Sequence, residues 1–411
     1  MNTAYIIDAV RIPRAKITGD AENKQGVYAQ LKPVDLLKPL FNAICERNDF
    51  LSHHVDDVLL GCATQSSDQG ANLAKIAALY AGWSDKVAGI TLNRFCCSGL
   101  DAVNLAASKI IAGSDDLVVA GGVEQLTRVP MFSDRGAWYS DKDVMERTRF
   151  MHMGLAADLI AVQENYSRAQ LDDVALQSHQ RAAHAVSNAY FEHSIVKVND
   201  AQGGSLLDSD NAIRQSIDAQ KLASLPASFT DFIAMGQQVV DKVYPDTELR
   251  ALHSAGNSPA LVDGASLVLL ANQASCQRLG LKPRARIRHF ANASDEPVRM
   301  LTGHIRATEK LLRATNLTPA DIDLWEVNES FAASALKYQQ DFAIADNCFN
   351  VNGGAIAMGH PLGATGGNLL GMLLDELERR DQKRGVVAIC GGAGVGVATL
   401  IERLTDAEMG A

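Results

Sequence analysis

Four short stretches of this chain hold residue types that could do chemistry. In NRFCCSGLDAVNLAASKI (Asn93–Ile110), two cysteines stand just before a Ser-Gly turn and a nearly apolar helix. A thiol at a helix start feels the positive end of the helix dipole, which favours the thiolate and suits a nucleophile. Filling the core is the competing use of such a residue, and a Cys96–Cys97 disulfide would strain the backbone. In NVNGGAIAMGHPLGATGG (Asn350–Gly367), His360 precedes Pro361 among six glycines. A histidine fixed in a stiff turn can take a proton from a thiol, or serve only to shape that turn. In VVAICGGAGVGVATLIE (Val386–Glu402), Cys390 ends an apolar run before a Gly/Ala turn whose backbone N–H groups suit a developing oxyanion. That turn lacks the Gly-Lys-Ser/Thr ending of a nucleotide-phosphate loop. In WEVNESFAASAL (Trp325–Leu336), Asn328 lies at a strand-to-helix junction, where it can cap the helix or hold a water.

These stretches must be positioned by an alternation of short apolar runs and helical patterns, which predicts an α/β fold. Strands are expected at Tyr5–Val10, Val55–Gly61, Asp116–Gly122 and Gly385–Gly392. Helices are expected at Pro33–Arg47, Ala71–Ala81, Gly99–Ala112, Asp172–Ala189, Thr302–Ala314, Phe331–Gln340 and Gly366–Arg380. A loose internal repeat runs through them. VDDVLLGCATQ reads like DIDLWEVNESF, and the stretch from Ile90 to Glu124 reads like that from Asn347 to Gly394. Both have a strand, a Gly/Ser-rich turn, a long apolar helix and a strand ending in Gly-Gly. Residues 123–254 break this rhythm with polar helices and a Gly/Ser/Asp stretch. The expected organisation is therefore one half made of 1–122 and 255–275, an inserted domain at 123–254, and a second half at 276–411.

The bulk numbers narrow the class. The 411 residues carry a net charge of −10, which disfavours a nucleic-acid partner. Seven cysteines without CxxC pairs or Cys/His clusters point to free thiols in a cytoplasmic compartment and to no bound metal. The first residues show no secretory signal pattern, the C-terminus EMGA is no peroxisomal address, and no membrane span is expected.

Taken in register, the four stretches resemble the thiolase family along nearly the whole chain. Its Asn-x-x-Cys-x-Ser-Gly-Leu motif reads as Asn93, Cys96, Ser98, Gly99 and Leu100. GGVEQLTRVP, AGNSPALVDGAS, VNESFAA, GHP and CGGAGVG are similar to further thiolase motifs, and HMGLAADLI…HQRAAHA to the helices of its loop domain. The resemblance implies the thiolase fold: two similar βαβαβαββ halves packed as a five-layer αβαβα sandwich with an inserted loop domain. It implies an acyl-CoA:CoA C-acyltransferase that makes or cleaves a 3-ketoacyl-CoA such as acetoacetyl-CoA through an acyl-Cys96 thioester. His360 would deprotonate Cys96, and Cys390 would act as acid/base. One oxyanion site would be His360 with a water held by Asn328, and the other the backbone N–H groups of Cys96 and Gly392. His152, Met153, Ala255 and Ser258 fall where the family lines its CoA and acyl pocket. No metal or redox cofactor is implied, coenzyme A being a substrate, and a homodimer or homotetramer is expected. A decarboxylating ketoacyl synthase of the same fold and a silent acyl-CoA-binding relative are the rival readings. Departures from the family pattern are Pro259 in the coenzyme-A segment, His304 and Arg306 at proline positions of a loop near the acyl pocket, Ala393 in place of a glycine, and an apparent insertion at Thr230–His253.

Overall fold

A computed structural model of the chain describes residues 2–19, 24–200 and 202–405. The first half of the fold contributes strands β1 (Tyr5–Arg11), β2 (Ala15–Lys16), β3 (Asp57–Gly61), β4 (Ile90–Leu92), β5 (Leu117–Glu124) and β6 (Val262–Ala271). The second contributes β7 (Ala285–Ser294), β8 (Leu324–Val327), β9 (Arg384–Cys390) and β10 (Val395–Arg403). The helices that matter here are α1 (Pro33–Asn48), α2 (Leu73–Tyr80), α3 (Ser98–Ala112), α4 (Met153–Gln163), α5 (Arg168–Ser187), α6 (Gly303–Thr315), α7 (Ala332–Asp341) and α8 (Thr365–Arg379).

The strand order β4-β3-β5-β6-β1-β7-β10-β9-β8 reads nearly the same from either end. β3 pairs in parallel with β5 as β8 does with β9, and β6 and β10 return antiparallel. The place of β4 is taken in the second half by a parallel bridge from Trp325 to Phe349. The repeat legible in the sequence is thus a repeat of topology. The two halves join where β1 meets β7 through Tyr5 and Ile6.

Burial assigns the layers. One face of the first half packs Leu36, Leu40, Phe41 and Ile44 of α1 and Ala74 and Ala77 of α2. One face of the second packs Ala307 and Leu311 of α6 and Ala335 and Tyr338 of α7. Between them lie α3 and α8, which share a core of Leu100, Val103, Ala107, Leu370, Leu373 and Leu377. These helices meet through glycine. A Cβ on Gly366 would stand 2.0 Å from the nitrogen of Leu100, and one on Gly99 would stand 2.3 Å from the carbonyl oxygen of Gly363. The starts of α3 and α8 are therefore in main-chain contact.

The apolar run Phe95–Ala112 is long and apolar enough to cross a membrane by length and composition alone. Its packing in the core between the two halves of the fold accounts for that composition.

The chain leaves the sheet after Glu124 and returns at Val262. The intervening helices are not all polar, as the sequence suggested: Leu155 to Ala161 of α4 are buried on every side. This segment packs onto the second half, sharing one core cluster in which Leu155, Leu159 and Ile160 join Ala332, Ala333 and Cys390. The insertion Thr230–His253 is anchored at its end. His253 Nδ1 lies 2.7 Å from Asp158 Oδ1, and its Nε2 accepts the N–H of Ala333, so the ring is held at both nitrogens.

Candidate active site

Cys96 sits two residues ahead of α3, after Phe95 turns the chain with φ +51°. Asn93 braces that turn by accepting from Phe95 N–H (2.7 Å) and donating to the Ala63 carbonyl (2.9 Å). Cys97 points away from the site. It is fully buried, its thiol donating to the Ile389 carbonyl at 3.2 Å.

His360 reaches the same region from the loop before α8. Its N–H donates to the Ala260 carbonyl (3.0 Å), and its Nδ1 lies 2.7 Å from Thr365 Oγ1. That contact fixes the ring and leaves Nε2 without a partner among the described residues. Two buried carboxylates hold the loops. Glu124 accepts from the backbone of Ala63, Thr64 and Gly363, tying the loop after β3 to the loop after His360. Glu329 accepts from Ser178 Oγ (2.7 Å) and Ile356 N–H (3.0 Å).

Cys390 ends β9 and is fully buried. Its thiol donates to Ser330 Oγ at 3.0 Å and lies 3.7 Å from Ser334 Oγ. Asn328 follows β8. Its Nδ2 donates to the same Ser330 Oγ at 2.8 Å, while its buried Oδ1 has no partner among the described residues.

Two connected cavities meet at Cys96. One, of about 360 Å³, is lined by Cys96, His152, Met153, Phe229, Ser258, Pro259, Ser330, His360 and Gly392. The other, of about 240 Å³, is an aromatic chamber formed by Phe95, Phe132, Trp138, Tyr139 and Phe150 with Met131 and Met151. Trp138 packs within it, its ring tilted against Phe95 and edge-on to Phe150, with centroids 5.1 Å from each. Gly392 belongs to both walls, and a Cβ there would meet Trp138 at 3.1 Å and Phe95 at 3.2 Å.

Burial sets the electrostatics. It raises the Cys96 thiol well above its ordinary range, and Cys390 and Glu124 nearby add to the effect. Desolvation thus outweighs the helix dipole read from sequence. His360 is pushed down to about 4, first by burial and then by the charge of Arg14. Both shifts favour the uncharged forms, a thiol that can donate and an imidazole that can accept in one cavity, rather than a preformed ion pair. Burial also raises Cys390, against the pull of Ser330 and Ser334.

The structure brings Cys96, His360, Gly392, His152, Met153 and Ser258 to one cavity, with Cys390 and Asn328 behind its wall through Ser330. Two expectations need correction. Ala255 is exposed and lines neither cavity, because the turn that Asn257 closes onto Ser254 N–H faces it outward. His304 and Arg306 also stay out of the pocket. His304, in the first turn of α6, is buried against Tyr338 (ring centroids 4.9 Å apart), and Arg306 is paired with Asp295 and Glu309 at the surface. The loop's cavity residue is Leu301. Sequence reasoning missed Ser330, Thr365 and the aromatic chamber. Ser330 and Thr365 lie inside motifs already singled out, whereas the chamber is assembled from three separate loops that no local pattern connects.

Comparison with known proteins gives a consistent picture. The thiolase N-terminal domain model matches residues 4–234 and the thiolase C-terminal domain model residues 281–403. A 3-ketoacyl-CoA thiolase of Colwellia psychrerythraea is 35% identical over 98% of this chain and 100% of its own length, and one of Serratia proteamaculans is similar to the same extent. The crystal structure of the Bacillus anthracis acetyl-CoA acetyltransferase superposes with a TM-score of 0.84 at 32% identity, covering 98% of this chain and 99% of that one.

Proposed function

The chain belongs to the thiolase family and is a CoA-dependent acyltransferase, and from that premise we propose that Cys96 takes up the acyl group as a thioester and that this group is apolar and bulky. The observation that carries the reading is the position of Cys96 where the two cavities meet. The larger cavity, opening past Ser258 and Pro259, suits the pantetheine arm, and the aromatic chamber suits the acyl tail.

In this reading the Cys96 proton passes to His360 Nε2 as the sulfur attacks the carbonyl carbon, because neither group is charged beforehand. Charge on the carbonyl oxygen is met at one stage by protonated His360 with a water held at Asn328 Oδ1, and at the other by the backbone N–H groups of Cys96 and Gly392. Cys390 exchanges the proton at the α-carbon. The only charged residue of the chamber is Asp134, which accepts from Tyr139. A tail ending in a carboxylate would meet that charge without a cation to pair with.

The test is CoA-dependent cleavage of acetoacetyl-CoA beside longer, ring-bearing and ω-carboxylated 3-ketoacyl-CoA substrates. Ring-bearing and longer apolar tails should give the highest kcat/KM and ω-carboxylated ones the lowest. Acetoacetyl-CoA as the best substrate would overturn the assignment of the chamber.

All seven cysteines are unpaired, which supports a reducing, cytoplasmic setting. Apolar Ile90 on edge strand β4 and Ile76 and Leu79 on α2 are exposed. They are surface that a second copy would cover in a homodimer or homotetramer, checked by light scattering.

A further inference from the structure

We propose that Ser330 is a positioning residue for Cys390, a hydroxyl that reverses its hydrogen bond as the thiol gains and loses its proton. The inference rests on the reading that Cys390 handles the α-proton.

A serine hydroxyl has one hydrogen and two lone pairs. Both lone pairs of Ser330 Oγ are engaged, one by Asn328 Nδ2 at 2.8 Å and one by the Cys390 thiol at 3.0 Å. Its own hydrogen has no acceptor among the described residues, and Ser330 lines the cavity. Ser334, the other hydroxyl near Cys390, is differently placed. It donates to the Leu301 carbonyl at 2.8 Å and stands 3.7 Å from the sulfur. Ser334 could serve a thiolate only by giving up a buried hydrogen bond. Ser330 needs only a rotation about its Cβ–Oγ bond, with no heavy atom moving.

The proton account closes in both directions. In thiolysis, Cys96 sulfur bonds to C3 of the 3-ketoacyl-CoA, and the C2–C3 bond pair passes to C2. C2 takes the Cys390 proton, leaving acetyl-CoA and a Cys390 thiolate. Ser330, until then an acceptor, turns its hydrogen onto that sulfur. The incoming CoA thiol gives its proton to Cys390 and its sulfur bonds to the acyl carbon, expelling Cys96 thiolate, which recovers from His360 the proton it gave up on attack, while Ser330 turns back. Synthesis runs the same steps in reverse. Cys390 is fully buried, so a donor poised at 3.0 Å decides how readily its thiolate forms. Asn328 pins the Ser330 oxygen throughout. The third position of the Asn328-Glu329-Ser330-Phe331 stretch thereby tunes the proton affinity of a residue 60 positions away.

The test uses wash-in of solvent deuterium at C2 of acetyl-CoA, which reads proton exchange at the α-carbon without carbon–carbon bond formation. Acylation of Cys96 is measured separately as the burst of CoA release from acetyl-CoA. Ser330→Ala should slow wash-in by about 10- to 100-fold at neutral pH, the range for a hydrogen bond to a charged group. It should also move the wash-in pH profile to higher pH and leave the burst amplitude intact. Ser330→Thr, which keeps the hydroxyl, should restore both rate and profile. Ser330→Gly provides a second deletion if the alanine variant melts early. An unchanged wash-in rate and pH profile in Ser330→Ala overturns the proposal. Cys390→Ser is measured in parallel: full wash-in there would remove the role of Cys390 itself, a distinct failure.

Discussion

Replacing Gly366 by alanine should uncouple the two halves of the site. Its Cβ would stand 2.0 Å from the Leu100 nitrogen and 2.5 Å from the Leu100 Cα, where ordinary contact begins at 3.4 Å. Both neighbours are main chain, so neither can rotate away. The starts of α3 and α8 must separate by about 1.4 Å, the difference between 3.4 and 2.0 Å. Cys96 leads into α3 and His360 into α8, so the separation falls directly on the proposed nucleophile–base pair. A misplacement of about 1 Å costs on the order of 100-fold in rate, and overpacking of this kind costs about 1–3 kcal/mol of stability. The assays are kcat/KM for 3-ketoacyl-CoA cleavage, thermal melting, and the rate of Cys96 alkylation by iodoacetamide. Gly371→Ala is the control, since it lies on the same helix and its Cβ would come no nearer than 3.3 Å to the Ala9 Cβ and 3.9 Å to the Ala9 oxygen. It should melt slightly lower and keep its activity. A Gly366→Ala protein within threefold of the wild-type kcat/KM, or an equal loss in Gly371→Ala, would refute the claim that this contact sets the catalytic geometry.

Two further substitutions probe strain and charge. Ala393 occupies φ +57°, a region that glycine enters without steric cost, so Ala393→Gly should stabilise the fold by up to about 1 kcal/mol in denaturant unfolding, with activity kept. His304 is buried and pushed down to about 3 by desolvation. A histidine with a lowered folded pKa contributes stability fully above its unfolded value of about 6.5, and that contribution is lost as pH falls toward the folded value. His304→Leu should therefore flatten the loss of stability between pH 6 and pH 4 by about one proton's slope; an unchanged slope in pH-dependent unfolding would contradict this.

The sequence disclosed most of the scaffold, because the relevant signals are local. The apolar helix that became α3 is expected at Gly99–Ala112 and forms at Ser98–Ala112, and that of α8 shifts by one residue. The start of α5 was placed four residues late. Ser167 and Gln170 form a reciprocal cap that draws the start back to Arg168, a signal present in the sequence. Cys96, His360 and Cys390 were legible because each sits beside a turn that holds glycine, and Asn328 because it stands at a strand-to-helix junction. What stayed hidden is non-local. The glycines of α3 and α8 read as turn formers, and only the packed structure shows them as a contact surface. Trp138 and Phe150 look like ordinary residues until Phe95 joins them. His304 stood out as an unusual residue near the pocket, yet the direction of the first turn of α6 buries it elsewhere.

The central claim, that Cys96 alone carries the acyl group, is open to direct measurement. The protein is mixed with acetyl-CoA, quenched in acid, digested and mapped by tandem mass spectrometry at a resolution that separates Cys96 from Cys97. The account predicts an added acetyl group on Cys96 in the wild type and in Cys390→Ser, and none in Cys96→Ser. Acetylation of Cys97 or Cys390 in the wild type, or turnover that survives Cys96→Ser, would contradict it.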